Sequence, residues 1–430
     1  MKSTVLCRTF LVSSLTPRGG VRLAEINETP SGMRTHIGFF GKTNTGKSTL
    51  INALVGQEVS IVSPEPGTTT DPVYKAIEIA PIGPCLLIDT AGLEDETVLG
   101  SVREAKTRQV AEMCDVAVVV SLAEDVAAGD VAAEDSAAEG TEAVDDDADR
   151  SLVSFFQKRQ VPVIRVLSGT GALKRGSKEP AEVEVDALSG RGVDELRQAI
   201  IRAVSAIPEP TILGDLVSEG DLVLLVMPQD KQAPKGRLIL PQVTTLRELL
   251  DKHARSMCVA PEEMESALAL LKEPPALIIT DSQVFDYVYE RMPVESKLTS
   301  FSVLYAGLKG DVAEFVRGAK AIDGLRPGAR ILVAESCSHA PLTEDIGREK
   351  LPAMIAKRIG GEISIEIVAG KDFPEDLTNY DLILQCGGCM VNRRQILSRV
   401  EKAREQGVPI TNYGIAIAYM KGILEKVLDN

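Results

Sequence analysis

Apolar and polar positions in the first half of the chain follow a repeating order that predicts strands separated by helices. Short apolar runs with the length of a buried strand occur at 35–40, 85–88, 117–121, 161–167 and 183–185. Stretches with the period of an amphipathic helix lie near 48–54, 102–113, 151–159 and 193–204. Because alternating strands and helices are typical of a parallel, doubly wound sheet, we predict an α/β domain over residues 32–207.

Proline-rich breaks divide the rest of the chain into two further α/β units. Ile207-Pro208-Glu209-Pro210 ends the first domain, and Glu273-Pro274-Pro275 opens the last one. Between them, over 211–272, we predict strands at 222–227 and 237–240 and a helix at about 245–252. Predicted strands in 273–430 lie at 276–280, 302–304, 331–334, 363–367, 382–384 and 409–411. A unit of about sixty residues has a small core, so we expect the middle unit to form a homodimer.

Charge and composition exclude several classes of protein. The formal net charge is −15, but residues 121–150 alone hold eleven acidic residues and one arginine. We expect this acidic insert, residues 122–150, to be a loop without a core. No cluster of lysine and arginine stands out, so nucleic-acid binding is not predicted. No apolar run approaches the roughly 18 residues of a membrane span. Seven cysteines in 430 residues are not a disulfide framework, and the expected location is a reducing cytoplasm.

A glycine-rich loop follows the first predicted strand and opens the first predicted helix. Its sequence, Gly41-Lys42-Thr43-Asn44-Thr45-Gly46-Lys47-Ser48, has the Walker A spacing. The glycines let main-chain N–H groups surround a phosphate, Lys47 neutralises its charge, and Ser48 is placed to bind Mg²⁺. We predict nucleotide contacts from Gly41, Asn44, Thr45, Gly46, Lys47, Ser48 and Thr49.

A second part of a nucleotide switch follows about forty residues later, at the usual distance from such a loop. Asp89-Thr90-Ala91-Gly92 comes directly after the apolar run Leu86-Leu87-Ile88. This is the position of a carboxylate that holds Mg²⁺ through water and of a glycine that senses the γ-phosphate. Asp89 and Gly92 are therefore candidate catalytic residues, together with Lys47.

With the intervening Pro66-Gly67-Thr68-Thr69-Thr70-Asp71, these motifs resemble the translation-factor-like GTPases of the Era and TrmE kind, whose effector loop reads G-T-T-x-D. The resemblance implies that Thr69 is the magnesium-sensing, catalytic switch threonine, with Thr68 beside it. It also implies that Asn44 holds a potassium ion. Leu93 stands where Ras-like enzymes carry a water-orienting glutamine, so we expect slow hydrolysis of GTP to GDP that is open to stimulation by potassium.

One part of that family pattern is missing. The guanine-reading Asn-Lys-x-Asp is expected after the fifth strand, where this chain reads Leu167-Ser168-Gly169-Thr170. The later segment Asp186-Ala187-Leu188-Ser189-Gly190 resembles the family's S-A-x-x-G base-contact loop. The resemblance thus predicts base contacts from Asp186 and Ala187, and guanine selectivity is inferred from kinship.

Cysteine and histidine residues near the end of the chain have the spacing of a metal site. Cys337-Ser338-His339 and Cys386-Gly387-Gly388-Cys389 each follow a predicted strand. Because ligands bind at the carboxyl ends of strands in open α/β sheets, the two segments are predicted to meet in one site. Thiolates suit both zinc and iron-sulfur clusters, and the residues by themselves leave both open. His339 is either a ligand or a hydrogen-bonding neighbour of the ligands.

The spacing C-x-H-x46-C-x-x-C on a GTPase of this type closely resembles the maturation GTPases of FeFe-hydrogenase, the HydF family. Segments 233–242 and 298–302 carry the same resemblance. It implies a GTP-binding domain, a dimerisation domain and a C-terminal domain that binds a 4Fe-4S cluster. Cys337, Cys386 and Cys389 would be cluster ligands, and His339 would be the candidate fourth ligand.

The resemblance also implies a function and partners. The protein would assemble the di-iron subcluster of the H-cluster as a transient cargo and deliver it to apo-FeFe-hydrogenase. Two radical-SAM maturases would be further partners, and GTP would gate these interactions. The alternative is a redox- or zinc-dependent regulatory GTPase of the Era/TrmE type, in tRNA modification or linked to the ribosome.

Overall fold

The structure is a computed structural model that describes residues 29–56, 72–92, 106–122, 147–169, 182–228, 238–336, 346–370 and 372–428. Its strands form three sheets, each accompanied by helices. The prediction of three α/β modules is therefore confirmed. In the ranges given above, no helix is both long enough and apolar enough to cross a membrane.

The first module is built on a six-stranded sheet with the order β2-β3-β1-β4-β5-β6. Its strands are Thr35–Phe40 (β1), Val73–Ile79 (β2), Gly83–Asp89 (β3), Val116–Leu122 (β4), Val163–Ser168 (β5) and Glu182–Val185 (β6). Only β2 is antiparallel to its neighbour. Its helices are Lys47–Val55 (α1), Asp147–Lys158 (α2) and Val193–Ser205 (α3), and residues 106–111 are also helical. Apolar cores on both faces of the sheet bury β1 and β4, as in a doubly wound fold.

The second module has a four-stranded parallel sheet with the order β10-β9-β7-β8. Its strands are Leu222–Val226 (β7), Arg255–Val259 (β8), Leu277–Thr280 (β9) and Lys297–Ser300 (β10). Its helices are Leu240–Asp251 (α4), Met264–Ala269 (α5), Phe285–Tyr289 (α6) and Phe301–Lys309 (α7). The central strands β7 and β9 are buried, whereas the edge strand β8 is largely exposed.

The third module has a four-stranded parallel sheet with the order β12-β11-β13-β14. Its strands are Arg330–Glu335 (β11), Ser364–Ala369 (β12), Leu382–Gln385 (β13) and Ile410–Asn412 (β14). Its α-helices are Val312–Lys320 (α8), Leu351–Ile359 (α9), Arg393–Glu405 (α10), Tyr413–Met420 (α11) and Leu424–Leu428 (α12). One apolar cluster continues from this module into the second one, since it contains Leu224 and Ile278 as well as Leu332 and Ile383.

Two predicted strands are wrong because local capping starts a helix instead. Residues 302–304 belong to α7, since the hydroxyl of Ser300 accepts a hydrogen bond from Val303 N at 3.3 Å and caps that helix. Leu240, predicted as the end of a strand, begins α4, and the predicted helix start near Thr245 is therefore five residues late. Pro241 in the first turn favours a helix start here.

Module limits also differ from the sequence prediction. β9 and β10 fall within the predicted third unit, 273–430, but they pair with β7 in the second sheet. The acidic insert, predicted as 122–150, includes the first turn of α2, and residues 123–146 lie outside the described ranges. Sequence inspection also missed β2 and β8.

Candidate functional site

The glycine-rich loop joins β1 to α1 at the carboxyl edge of the first sheet. Gly41 has a φ of +141°, and a Cβ on it would lie 2.2 Å from the main-chain oxygen of Val120, so only glycine fits. Asn44 and Gly46 are left-handed as well, with φ values of 64° and 86°. Gly46 is the N-cap of α1, and the first N–H groups of this helix form the predicted phosphate-binding end.

The side chain of Lys47 folds back over this loop and is 7% exposed. Its Nζ donates hydrogen bonds to the main-chain oxygens of Gly41 at 2.9 Å and Lys42 at 2.5 Å. The buried hydroxyl of Thr45 donates to the same Lys42 oxygen at 3.0 Å. The ammonium group is thus held at the loop, where a phosphate oxygen would be a stronger, charged partner than a carbonyl.

The two residues predicted to serve Mg²⁺ meet beside the loop. Ser48 Oγ donates a hydrogen bond of 2.5 Å to Asp89 Oδ2. Burial raises the pKa of Asp89, while the hydrogen bond from Ser48 and the charges of Lys47 and Lys75 oppose that rise. A hydroxyl and a carboxylate in this arrangement suit a hard cation. Thr49, next to Ser48, is exposed.

Gly92 packs directly against the glycine-rich loop. A Cβ on Gly92 would lie 2.2 Å from Thr43 Oγ1 and 2.5 Å from Thr43 N. The hydroxyl of Thr90 ties the same segment to β1 through a 2.6 Å hydrogen bond to the oxygen of Phe39. The segment 89–92 therefore lies against the phosphate loop, where the sequence places a γ-phosphate sensor. The predicted switch residues Thr68 and Thr69, and also Leu93, lie outside the described residues.

The predicted base-contact loop closes on its own aspartate. Asp186 Oδ2 accepts a hydrogen bond from Ser189 Oγ at 2.7 Å, and Oδ1 accepts one from Leu188 N at 3.1 Å. The bond from Ser189 lowers the pKa of Asp186. Ala187 is partly buried in the same turn. The loop lies at the carboxyl end of β6, the same edge of the sheet that carries the phosphate loop.

The cysteine pair lies at the carboxyl end of β13 in the third module. Gly388 has a φ of +71°, and a Cβ on it would lie 3.0 Å from Ile396 Cδ1, so the turn between the two cysteines depends on glycine. Cys386 Sγ accepts a hydrogen bond of 3.0 Å from Ser336 N and lies 3.2 Å from Ser336 Oγ. Ser336 follows β11 and is the last described residue before Cys337. The ends of β11 and β13 therefore meet, and the joining of Cys337 and His339 with Cys386 and Cys389 in one site stays a prediction.

The chemistry of these donors fits a thiolate-bound metal centre. Two thiols leave one glycine turn, and an N–H group points at the sulfur of Cys386, a contact that stabilises a thiolate or a sulfur ligand. Cys337 and His339 lie outside the described residues. Among the described residues there is no group of three or more metal-binding side chains.

The cysteine loop also touches the first module. Lys309 Nζ, at the end of α7, donates to the main-chain oxygens of Gly32 at 2.6 Å and Val391 at 3.0 Å. Asn392 Nδ2 donates to the oxygen of Met113 at 2.7 Å and to Asp115 Oδ2 at 3.1 Å. Burial raises the pKa of Asp115. These contacts lie at the amino ends of β1 and β4, opposite the phosphate loop.

Sequence reasoning missed the residues that surround the cysteines in space. Gln385, Arg399, Lys309 and Asn392 are all buried polar side chains near this loop. Only Asn392 carries a local signal, because an Asn directly before a helical stretch is a common N-cap, and its Oδ1 does accept from Gln395 N at 3.1 Å. The other three depend on long-range contacts.

Three family models match successive parts of the chain. A 50S ribosome-binding GTPase model matches residues 36–168. The hydrogen maturase F dimerization domain matches residues 212–310, and the hydrogen maturase F tetramerization domain matches residues 313–430. The limit between the last two agrees with the sheet pairing that places β9 and β10 in the second module.

Individual relatives match the GTPase module only. The tRNA modification GTPase MnmE of Ralstonia nicotianae is 33% identical over 172 residues, which cover 39% of this chain and 34% of that protein. GTPase Der of Wolinella succinogenes is 40% identical over 101 residues, which cover 23% of this chain and 21% of the Der protein. The chain thus spans about a third or less of the curated relatives it matches. A solved structure of Era from Aquifex aeolicus is 18% identical in sequence, and the match covers 60% of this chain and 97% of the Era chain. Its TM-score is 0.31, which is too low to carry an inference.

Proposed function

The chain belongs to the hydrogen maturase F family of GTPases, and on this basis we propose that it is an iron-sulfur scaffold that serves the maturation of FeFe-hydrogenase. Its cargo would be the di-iron subcluster of the hydrogenase active site, and its recipient would be the apo-hydrogenase. The observation that carries this proposal is the contact between Ser336 and Cys386, with Ser336 N 3.0 Å from the sulfur. That contact brings the chain leading into Cys337 beside the Cys386–Cys389 turn.

The nucleotide half of the proposal rests on the first module. GTP and Mg²⁺ would bind with the phosphates at the N-terminus of α1, beside Lys47. Ser48 and Asp89 would hold Mg²⁺, directly and through water, and Thr69 and Gly92 would sense the γ-phosphate. Asn44 would hold K⁺, which would offset the absence of a glutamine at Leu93. Hydrolysis would therefore be slow, and Asp186 and Ala187 would contact the base.

The cluster half rests on the third module. Cys337, Cys386 and Cys389 would hold a 4Fe-4S cluster, with His339 near its remaining iron. When bound, the cluster would offer an iron with an exchangeable ligand, which is what the transfer of a cargo requires. The protein's own part would be to orient two thiols by the Gly387-Gly388 turn and to donate N–H groups to sulfur.

Contacts between the modules support gating by nucleotide. The helical residues 106–111 follow the segment 89–92 along the chain and lead to Glu112, Met113 and Asp115. Glu112 lies 3.7 Å from Lys402 in α10, and Met113 accepts the hydrogen bond from Asn392. A rearrangement on the γ-phosphate side would thus reach the helix that follows the cysteines. Interactions with two radical-SAM maturases and the hydrogenase would change with it.

The experiment is anaerobic reconstitution of the full chain with iron and sulfide, followed by metal analysis and EPR of the reduced protein. The test variant is Cys386→Ala. The matched control is Cys258→Ala, because Cys258 is an exposed thiol on β8. About four irons per chain, and an EPR signal that only Cys386→Ala removes, are expected.

Each other outcome has a defined meaning. Stoichiometric zinc without an iron-sulfur signal would contradict the scaffold and favour the regulatory GTPase, the class to which the relatives of the first module belong. An equal loss of signal in the Cys258→Ala control would mean that Cys386 has no special part in binding. If the expected iron content and EPR signal are found, the cluster-loaded protein should next be tested for activation of an apo-hydrogenase.

A further inference from the structure

A buried arginine stands behind the first cysteine of the pair. Arg399, in α10, is 3% exposed. Its Nη1 donates to Gln385 Oε1 at 3.0 Å, and its Nη2 donates to the main-chain oxygen of Gly370 at 2.6 Å. Gln385 is fully buried, and its Nε2 lies 3.7 Å from Cys386 Sγ. Arg399 is thus joined to the cysteine through one neutral amide.

A buried lysine contacts the residues that follow the same turn. Lys309 is 5% exposed, and its hydrogen bonds go to the main-chain oxygens of Gly32 and Val391. Val391 is two residues after Cys389. The lysine therefore holds the chain just after the cysteine turn, again through neutral partners.

Burying a cation is costly unless an opposite charge compensates it. In the part of the chain that the structure describes, no carboxylate oxygen lies within 4.0 Å of either cation. Glu112 is engaged with Lys402, and Asp115 accepts hydrogen bonds from the main-chain N of His36 and from Asn392. The hydrogen-bond partners that the structure shows for both cations are therefore neutral.

When ionised or bound to a metal, the two cysteines would supply the strongest opposite charge near both cations. Burial lowers the pKa of Arg399, and the charge of Cys386 opposes this more than that of Glu112 does. Burial likewise lowers the pKa of Lys309, and Cys389 opposes it more than Asp115 does. The contacts agree with this, since Gln385 links Arg399 to Cys386 and Lys309 binds the oxygen of Val391, two residues after Cys389.

We propose that Arg399 and Lys309 are the counter-charges of an anionic iron-sulfur cofactor held at the Cys386–Cys389 turn, and that they raise its reduction potential. This inference rests on the proposed function. An external one-electron reductant adds one negative charge to the cofactor, and no bond forms or breaks. Two fixed cations in a poorly solvated site stabilise the reduced form more than the oxidised form.

The test is an EPR-monitored redox titration of the reconstituted full chain. Arg399→Gln and Lys309→Met each remove one charge, whereas Arg399→Lys and Lys309→Arg keep it. The control is Arg404→Gln, since Arg404 lies on the same helix but is 53% exposed. For each charge-removing variant we expect an equilibrium constant for reduction about tenfold lower, a fall in midpoint potential of about 59 mV for one electron. The control and the charge-keeping variants should stay near the wild type.

The outcomes separate this inference from the proposed function. A wild-type chain without a reduced-cluster signal would overturn both. A normal signal with unchanged potentials in Arg399→Gln and Lys309→Met would overturn the inference alone. Equal shifts in charge-keeping and charge-removing variants would also overturn it, because packing would then be the cause. Since the cations lie on different helices, α10 and α7, a variant of one that fails to fold leaves the other as a complete test.

Discussion

The side-chain amide of Asn392 donates a 2.7 Å hydrogen bond to the main-chain oxygen of Met113, which lies 279 residues earlier in the chain. Asn392 is three residues after Cys389, and Met113 follows the helical residues 106–111 of the first module. This hydrogen bond is one of the contacts that join the nucleotide-binding module to the cysteine loop. Its loss should loosen the contact between them without touching either site.

Replacing Asn392 by aspartate should weaken this contact. The Asn392→Asp variant keeps an oxygen that can cap α10 but places a carboxylate 3.1 Å from Asp115 Oδ2 and removes the donor. The lost bond and the repulsion should cost about 1–3 kcal/mol. Hydrogen exchange should become faster in peptides that cover residues 113–115 and 389–395. Asn379→Asp, an exposed position in the same module, is the control. Unchanged exchange would mean that Asn392 does not hold the modules together.

Adding one methyl group to Gly32 should also disturb the contact. A Cβ there would lie 2.6 Å from the oxygen of Val391 and 2.9 Å from that of Cys389, two main-chain atoms that cannot rotate away. We expect Gly32→Ala to destabilise the protein by about 1–3 kcal/mol, seen as a lower thermal midpoint by calorimetry. Gly324→Ala is the control, since a Cβ there meets nothing within 4 Å. A midpoint equal to that of the control would contradict the close approach.

The stability of the metal-free protein should depend on the protonation of Lys309. Burial lowers the pKa of Lys309 from 10.5 to about 8. Below pH 8 the buried charge of Lys309 therefore lowers the free energy of unfolding. This loss is recovered as the pH rises from about 8 toward 10.5, the pKa of Lys309 in the unfolded chain. Between pH 7.5 and 9.5 the gain should be about 2 kcal/mol. Thermal melts should show this rise in the wild type and a smaller one in Lys309→Met. Parallel pH profiles would mean that Lys309 is not desolvated.

Sequence alone predicted the parts of the sites that are contiguous in the chain. The glycine-rich loop, the segment 89–92 and the cysteine turn each follow a strand that is parallel to its neighbours along the chain's α/β repeat, so each lies at the carboxyl edge of its sheet. The alternation of β2, exposed at Tyr74 and buried at Ile79, was readable but was missed. The edge strand β8 gave a weak signal because its residues are mostly exposed.

The buried cations were not predictable in this way. Lys309 is the last residue of α7, in which the sequence predicted a strand at 302–304. Its hydrogen-bond acceptor, the oxygen of Gly32, is 277 residues away in the chain. Arg399 lies on a helix with several other basic residues, and although the helical period puts it on the face of Ile396 and Ala403, a basic residue at such a position is not by itself a sign of burial. Such residues acquire their role from partners that are distant in the sequence, which no local pattern encodes.

An exposed apolar face on α4 should form part of a dimer contact. Val243 and Leu250 are 46% and 64% exposed and lie two helical turns apart, on one side of the helix. They belong to the segment that matches the hydrogen maturase F dimerization domain. Leu250→Asp should raise the dimer dissociation constant about tenfold to a hundredfold, measured by analytical ultracentrifugation. Leu270→Asp, at an 80% exposed leucine outside α4, is the control. If only the Leu270→Asp control weakens the dimer, the dimer contact does not include α4.

Removing the phosphate-loop lysine should separate nucleotide binding from cluster binding. The hydrogen bonds of Lys47 to Gly41, Lys42 and Thr45 stay within its own loop, and the contacts to the cysteine loop arise at the opposite edge of the sheet. Lys47→Ala should therefore weaken GTP binding about tenfold to a hundredfold and leave the iron content at the wild-type level. Fluorescent-nucleotide titration and iron analysis of the same preparation would measure both. Lys158→Ala, at an exposed lysine of α2, should change neither. Loss of iron together with nucleotide binding would mean that the cysteine site depends on a nucleotide-bound first module, and the contacts of Asn392 and Gly32 would then be the first place to look for that dependence.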